Sequence, residues 1–105
     1  MLALIRKRKY KAERRNFIEE LKRNKQCVDC KRIYPSWVMD FDHLDGEKKI
    51  DSISRMAVTN TSSFEKILIE IAKCELVCAN CHRQRTHDRI TMKFAEIANE
   101  VKAPL

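Results

Sequence analysis

The sequence predicts a small α+β domain organised around a metal-binding group of cysteines. Amphipathic helical segments flank one strand-like segment, and two Cys-x2-Cys pairs are separated by 47 residues. The chain has 105 residues, of which 44% are hydrophobic, so it can close one modest core and is not wholly disordered. One Gly and two Pro allow too few tight turns for a sandwich or barrel of many short strands.

A basic helix is predicted within an N-terminal segment, residues 1–26. Between residues 3 and 24 the apolar side chains fall near one helical face; they are Tyr10, Phe17, Ile18 and Leu21. Residues 1–25 carry ten Lys or Arg and three Glu, and the rest of the chain balances 12 against 12, so this segment holds the whole net charge of +7. Such an excess is typical of an arm that meets a polyanion, although a solvated helix face is the alternative. The expected nucleic-acid contacts here are Arg6, Lys7, Arg8, Lys9, Arg14 and Arg15.

The cysteines are spaced as metal ligands. Cys27 and Cys30 form one pair, and Cys78 and Cys81 form the other. Two residues between ligands allow a tight turn to point both sulfurs at one ion, and four thiolates complete a closed tetrahedral zinc site. A pair of disulfides is the alternative, and a thioredoxin-like site would need only one such motif. Cys74 is expected to be a buried apolar residue.

The N-terminal pattern also bears on location. The chain opens on five apolar residues that precede the basic cluster, which is the reverse of a secretory signal. No apolar run is longer than this one, and a membrane-spanning helix needs about 20 such residues. We therefore expect a cytoplasmic protein with reduced thiols and no membrane partner.

A strand and a turn are predicted after the first cysteine pair. Residues 37–42 alternate apolar and polar side chains, as in a half-buried strand. This alternation would place Trp37 and Phe41 in the core. Gly46 is the turn signal that follows the strand.

Helices are predicted for most of the remaining chain. Residues 52–56 fit one short helical turn, and a stronger helix is expected to begin at Ser62 or Ser63, with Glu65 completing a capping box for Ser62. Its apolar stripe consists of Phe64, Ile67, Leu68 and Ile71. After the second cysteine pair we expect a helix over about residues 79–89 and a separate amphipathic segment over residues 92–101.

Three side chains beside the cysteines suggest a second metal site. Asp42 and His43 end the predicted strand, and His82 directly follows Cys81. If zinc joins the two cysteine pairs, Asp42 and His82 face each other and can hold a divalent cation. Because successive strand residues alternate, His43 points to the other side and is left to accept a proton from water. A rival interpretation is that His82 replaces one cysteine at the zinc.

The order of these motifs resembles the HNH endonucleases, a family with a ββα-metal fold. The resemblance covers roughly residues 27–89 and rests on both cysteine pairs, on Asp42-His43, on Gly46, and on Cys81-His82 followed by Arg-Gln-Arg-Thr. It implies a short two-stranded hairpin; residues 90–105, beyond the resemblance, are expected to form a C-terminal helical segment from their amphipathic pattern. It also implies that His43 is the general base and that Asp42 and His82 bind a catalytic ion such as Mg²⁺ or Mn²⁺.

Two positions depart from the family pattern. Lys73 stands where the family usually has its middle Asn, which steadies the loop of the general base; Asn60 and Asn80 are the candidate replacements. Thr86 stands where some members add another His, so the site would have two protein ligands rather than three.

Taken together, these patterns predict a metal-dependent DNA endonuclease. The resemblance is to bacterial and phage-encoded members, so DNA is the expected substrate, packaging proteins are candidate partners, and a phage-encoded chain would act in the cytoplasm of its bacterial host. Arg83 and Arg85, after the second cysteine pair, are additional candidate phosphate contacts. The alternative function is a non-catalytic zinc module that binds nucleic acid.

Overall fold

The computed structural model describes residues 2–44, 46, 48–58 and 63–102. These residues form a small α+β arrangement with a two-stranded antiparallel sheet, as predicted. The elements are α1 (Leu2–Lys22), β1 (Met39–His43), α2 (Ile53–Val58), α3 (Phe64–Ile71), β2 (Cys74–Cys78) and α4 (Ala79–Lys102). No helix within the described ranges is both long and apolar enough to cross a bilayer.

The sheet brings the two cysteine pairs to the same end of the fold. Strand β1 pairs antiparallel with β2, so that Met39 lies opposite Cys78 and His43 opposite Cys74. Because α4 begins directly after β2, its first turn lies beside the start of β1. The hairpin and the following helix therefore place His82 next to the acidic residues of β1.

The predicted strand begins later than the alternation of side chains suggested. Residues Ser36–Val38 form a single 3-10 turn after Pro35, which accepts the Val38 N–H at 2.9 Å. Trp37 lies on this turn and is 79% exposed, so the prediction that it belongs to the core is wrong. Phe41 lies within β1 and packs against the apolar core, as predicted.

Helix ends follow local chemistry. Helix α1 stops two residues before Asn24, which adopts the left-handed conformation at φ 58° that commonly ends helices. Helix α3 is capped by Ser63, whose hydroxyl accepts the Lys66 N–H at 3.1 Å; the other predicted cap, Ser62, lies outside the described residues. Helix α2 confirms the predicted short helical segment.

The two C-terminal helical segments are one helix. Helix α4 continues through residues 90–91, which were predicted to separate them, because the sequence has no Gly or Pro within the helix. Beyond Arg89 its apolar side chains are exposed; they are Ile90, Met92, Phe94, Ile97 and Val101.

The buried apolar residues form two small clusters. The first joins α1, α2 and α3 through Ile18, Ile53, Met56, Ala57 and Ile67. The second is made of Cys27, Met39, Val77 and Cys78. In the predicted stripe of α3 only Ile67 is fully buried, whereas Phe64 and Leu68 are largely exposed. A carboxylate, Glu70, is buried in their place.

Candidate metal centre and catalytic pocket

The four paired cysteines form one cluster, which we call the cysteine cluster (Cys27, Cys30, Cys78 and Cys81). Their sulfur atoms all lie within 4.8 Å of one another. In a tetrahedral site with zinc–sulfur bonds of about 2.3 Å, neighbouring sulfurs stand about 3.8 Å apart. The cluster can therefore hold a metal ion such as zinc after small side-chain adjustments.

Backbone N–H groups of the cysteine turns favour thiolates in this cluster. The Cys27 sulfur is fully buried and accepts the backbone N–H groups of Cys30 at 3.5 Å and Cys78 at 3.3 Å. Burial alone would raise the pKa of Cys27, but these hydrogen bonds lower it. The Cys78 sulfur and its neighbours raise the pKa of Cys81. Four sulfurs this close cannot all ionise by themselves, so a cation is the natural completion of the site.

Neither Cys74 nor His82 belongs to this cluster. The Cys74 sulfur lies 3.4 Å from the Glu70 carbonyl oxygen, and burial raises the pKa of Cys74 to about 11. Cys74 packs against the apolar core, as predicted. His82 turns its two ring nitrogens toward carboxylates of β1 instead of toward the sulfurs.

His82 lies between two aspartates on one face of β1. Its Nδ1 is 3.0 Å from Asp40 Oδ2, and its Nε2 is 3.4 Å from Asp42 Oδ1. Two ligands that bind one ion at right angles, each at about 2.1 Å, stand about 3.0 Å apart. The separation of His82 Nε2 and Asp42 Oδ1 is close to this spacing. Among the described residues, only the cysteine cluster brings three or more metal-ligating groups within 4.8 Å, so Asp42 and His82 could offer an ion two protein ligands.

Asp40 was not identified from the sequence. Residues two apart on a strand share a face, so its position relative to Asp42 was a usable signal. Asp40 is partly exposed, and as an acceptor for Nδ1–H it would orient His82 so that Nε2 faces Asp42.

Two arginines of α4 neutralise Asp42. Arg89 contacts both carboxylate oxygens, at 3.0 and 2.8 Å, and Arg85 contacts one of them at 3.0 Å. Asp42 is only 4% exposed; burial would raise its pKa, but the two guanidinium groups lower it overall. Asp42 is therefore an ionised carboxylate.

Arg85 also ties the first cysteine turn to α4. It makes two hydrogen bonds of 2.7 Å with Asp29 and an ion pair of 3.2 Å with Glu75. Asp29 raises the pKa of Arg85 further above its usual value, so its charge is permanent. Its side chain is 19% exposed and engaged in these internal ion pairs; that Arg85 contacts nucleic acid stays a prediction.

The His43 ring lies within hydrogen-bond distance of a buried glutamate. Its Nε2 is 2.7 Å from Glu70 Oε2. Glu70 also accepts the backbone N–H of Ile50 at 3.0 Å and the Lys73 ammonium at 2.9 Å. Burial would raise the pKa of Glu70, but the hydrogen bonds from Lys73, Ile50 and His43 lower it to about 2.

Lys73 helps to hold Glu70, the hydrogen-bond partner of His43. It holds Glu70 and also donates to the Lys48 carbonyl oxygen at 2.9 Å. Of the two replacements suggested by the sequence, Asn80 is exposed on the first turn of α4, and Asn60 lies outside the described residues.

The predicted catalytic side chains line one cavity of about 500 Å³, which we call the pocket. His43, Asp42 and His82 all contribute to its wall. Three cationic side chains, Lys22, Lys49 and Arg89, line it as well. A concave site with convergent imidazole, carboxylate and cationic groups suits a phosphate ester.

The predicted nucleic-acid contacts differ in their accessibility. On α1, five of them are exposed, namely Arg6, Lys7, Arg8, Lys9 and Arg15, and Arg83 is exposed on α4. Arg14 is only 3% exposed, with its guanidinium against the Tyr10 ring, so it does not offer its charge to a partner on that surface.

No family model, no curated protein and no solved structure matches this chain. The resemblance to HNH endonucleases therefore rests on the motif residues alone.

Proposed function

We propose that this protein is a metal-dependent DNA endonuclease of the HNH type, which hydrolyses phosphodiester bonds in the pocket. The observation that carries the proposal is that His82, which is distant in the sequence from the adjacent Asp42 and His43, lines one cavity with both of them and with three cationic side chains. Metal-assisted hydrolysis of a phosphodiester requires a general base and a site for a divalent ion. His43 would supply the first, and the Asp42–His82 pair would supply the second.

In this proposal the residues have separate roles. Asp42 and His82 would hold the divalent ion, which, when bound, stabilises the negative charge that develops on the phosphate. His43 accepts a proton from the attacking water, a role for which an imidazole near neutral pH is suited. Lys22 and Lys49, which also line the pocket, would contact the phosphate oxygens.

The cysteine cluster would hold a structural zinc ion. A site closed by four thiolates leaves no position for water or substrate, so it contributes to folding and not to the reaction. It does so by fixing the first cysteine turn against the start of α4.

The exposed cations of α1 supply the surface for the DNA backbone. Arg6, Lys7, Arg8, Lys9 and Arg15 have no ion pair with any carboxylate among the described residues. Phosphate contacts of this kind are independent of base sequence, so α1 contributes affinity and not specificity.

A plasmid assay tests the proposal. Zinc-loaded protein is incubated with supercoiled plasmid and Mg²⁺, Mn²⁺ or Ni²⁺, with EDTA in the control. We expect nicked or linear plasmid only with an added divalent ion. If folded, zinc-loaded protein cuts with none of these ions, the proposal is wrong.

A second function is favoured by one observation. Both oxygens of Asp42 already bind arginines, Arg85 and Arg89, and this network on its own would hold α4 against β1. In that case the protein is a zinc-stabilised module that binds nucleic acid without cutting it. The same protein would then shift DNA in a gel but leave the plasmid intact with every ion.

A further inference from the structure

We infer that Glu70 is a positioning residue that fixes the proton of His43 on Nε2 and so makes Nδ1 the atom that accepts a proton in the pocket. The inference rests on the proposed function and extends it to a residue outside the family motif. It concerns the hydrogen bond between one buried carboxylate and one ring nitrogen, at 2.7 Å.

The direction of this hydrogen bond follows from the partners of Glu70. Its carboxylate is 2% exposed and takes donors from Lys73, at 2.9 Å, and from the Ile50 backbone, at 3.0 Å. Both donors favour the ionised form, and an ionised carboxylate can only accept. The proton of the bond must therefore belong to His43 Nε2.

The consequence concerns the other nitrogen. A neutral imidazole carries one proton, so a proton on Nε2 leaves the lone pair on Nδ1. His43 lines the pocket, while Glu70 is held in the protein interior between β1, α3 and the segment before α2. Nδ1 is then the only ring nitrogen that can accept a proton from a water molecule in the pocket.

Glu70 is held in place from two other segments of the chain. Ile50 belongs to the segment that leads into α2, and Lys73 follows α3 and also binds the Lys48 carbonyl oxygen, at 2.9 Å. The carboxylate therefore cannot rotate away from His43 without losing two further hydrogen bonds. This constraint fixes the ring orientation as well as the tautomer.

Nitrogen NMR reads the tautomer without reference to activity. Zinc-loaded protein labelled with ¹⁵N-histidine is examined at a pH where the imidazoles are neutral, and His43 is assigned by its loss in His43→Ala. We expect the His43 proton on Nε2 in the wild type and a mixture of tautomers in Glu70→Ala. A proton on Nδ1 in the wild type, or no change in Glu70→Ala, would overturn the inference.

Kinetics on a short DNA duplex supply the second readout. For Glu70→Gln, which keeps the size of the side chain, we expect kcat to fall about 10- to 100-fold with KM nearly unchanged. The matched control is Glu65→Gln, an exposed position on the same helix, for which we expect wild-type kinetics. An unchanged kcat in Glu70→Gln, with bound zinc confirming the fold, would contradict the inference.

The two hypotheses fail in different ways. A wild-type protein that cuts no DNA contradicts the proposed function, while the tautomer of His43 is still measurable in that protein. An active enzyme whose His43 carries its proton on Nδ1 contradicts only the role of Glu70.

Discussion

The cysteine cluster and the pocket are built on the same hairpin and helix, but they are suited to different tasks. The cluster has four soft ligands within 4.8 Å of one another, enough to complete a tetrahedral site. The pocket, a cavity of about 500 Å³, has only Asp42 and His82 as candidate ligands, one a carboxylate and the other an imidazole. In the proposed function, an ion in the cluster would be saturated by protein ligands, whereas an ion in the pocket would keep coordination positions for water and substrate.

The largest expected effect comes from opening the cluster. Cys78→Ala removes a buried ligand, and structural zinc in small domains contributes on the order of 10 kcal/mol or more to folding. We expect loss of bound zinc and of the folded circular dichroism spectrum. Cys74→Ala is the control, since Cys74 lies outside the cluster, and it should retain zinc; equal zinc content in both variants would contradict the assignment.

Changing Asp42 should affect both the metal requirement of the pocket and the stability of the fold. Asp42→Asn removes the charge that faces His82 and that neutralises Arg85 and Arg89, so we expect the concentration of Mn²⁺ for half-maximal cleavage to rise at least about 10-fold. We also expect the unfolding free energy to fall by about 2–3 kcal/mol, because buried charges lose their partner. Asp40→Asn, at the exposed side of His82, should show smaller changes; the reverse order would show that Asp40 is the ligand.

Acid should weaken the interaction of the Glu70 carboxylate with His43, because it protonates Glu70. The pKa of Glu70 is about 2 in the folded protein against an ordinary value of 4.5, so its ionised form stabilises the fold above about pH 4.5. This contribution is lost as the pH falls from 4.5 toward 2. We expect the free energy of unfolding of the wild type to exceed that of Glu70→Gln by on the order of 2 kcal/mol at pH 7. This difference should narrow in acid. Urea unfolding of both proteins at several pH values measures it, and a gap independent of pH would contradict the charge state of Glu70.

The smallest effect is expected from the basic helix. Deleting residues 1–11 removes five positive charges and no candidate ligand. We expect weaker DNA binding and a logarithmic salt dependence that flattens by about 0.9 for each lost phosphate contact, with cleavage at saturating DNA nearly unchanged. Binding titrations at several salt concentrations measure this slope, and an unchanged slope would assign the helix to another partner.

The parts of the site that the sequence predicted are those fixed by short spacings. Each Cys-x2-Cys turn sets its own geometry. Because His82 directly follows Cys81, its imidazole must lie beside the cysteine cluster. The alternation of a strand likewise separates His43 from Asp42. These relations need no knowledge of distant contacts.

The parts that were missed depend on contacts between distant segments. Glu70 lies within the apolar stripe of α3, and its burial is tolerated only because His43, Ile50 and Lys73 provide donors. Trp37 fits the alternation of a strand, but the turn that follows Pro35 places it in solvent. The ion pair of Arg85 with Asp29 was also missed, because Asp29 lies within reach only after the cysteine turns come together.

The most direct test of the account compares two histidine variants. His43→Ala and His87→Ala each remove one imidazole, the first from the pocket and the second from an exposed position on α4. We expect both to keep zinc and the wild-type circular dichroism spectrum, and only His43→Ala to lose plasmid nicking, by at least about 100-fold. Equal nicking rates in wild type and His43→Ala would contradict the central claim that this pocket performs the hydrolysis.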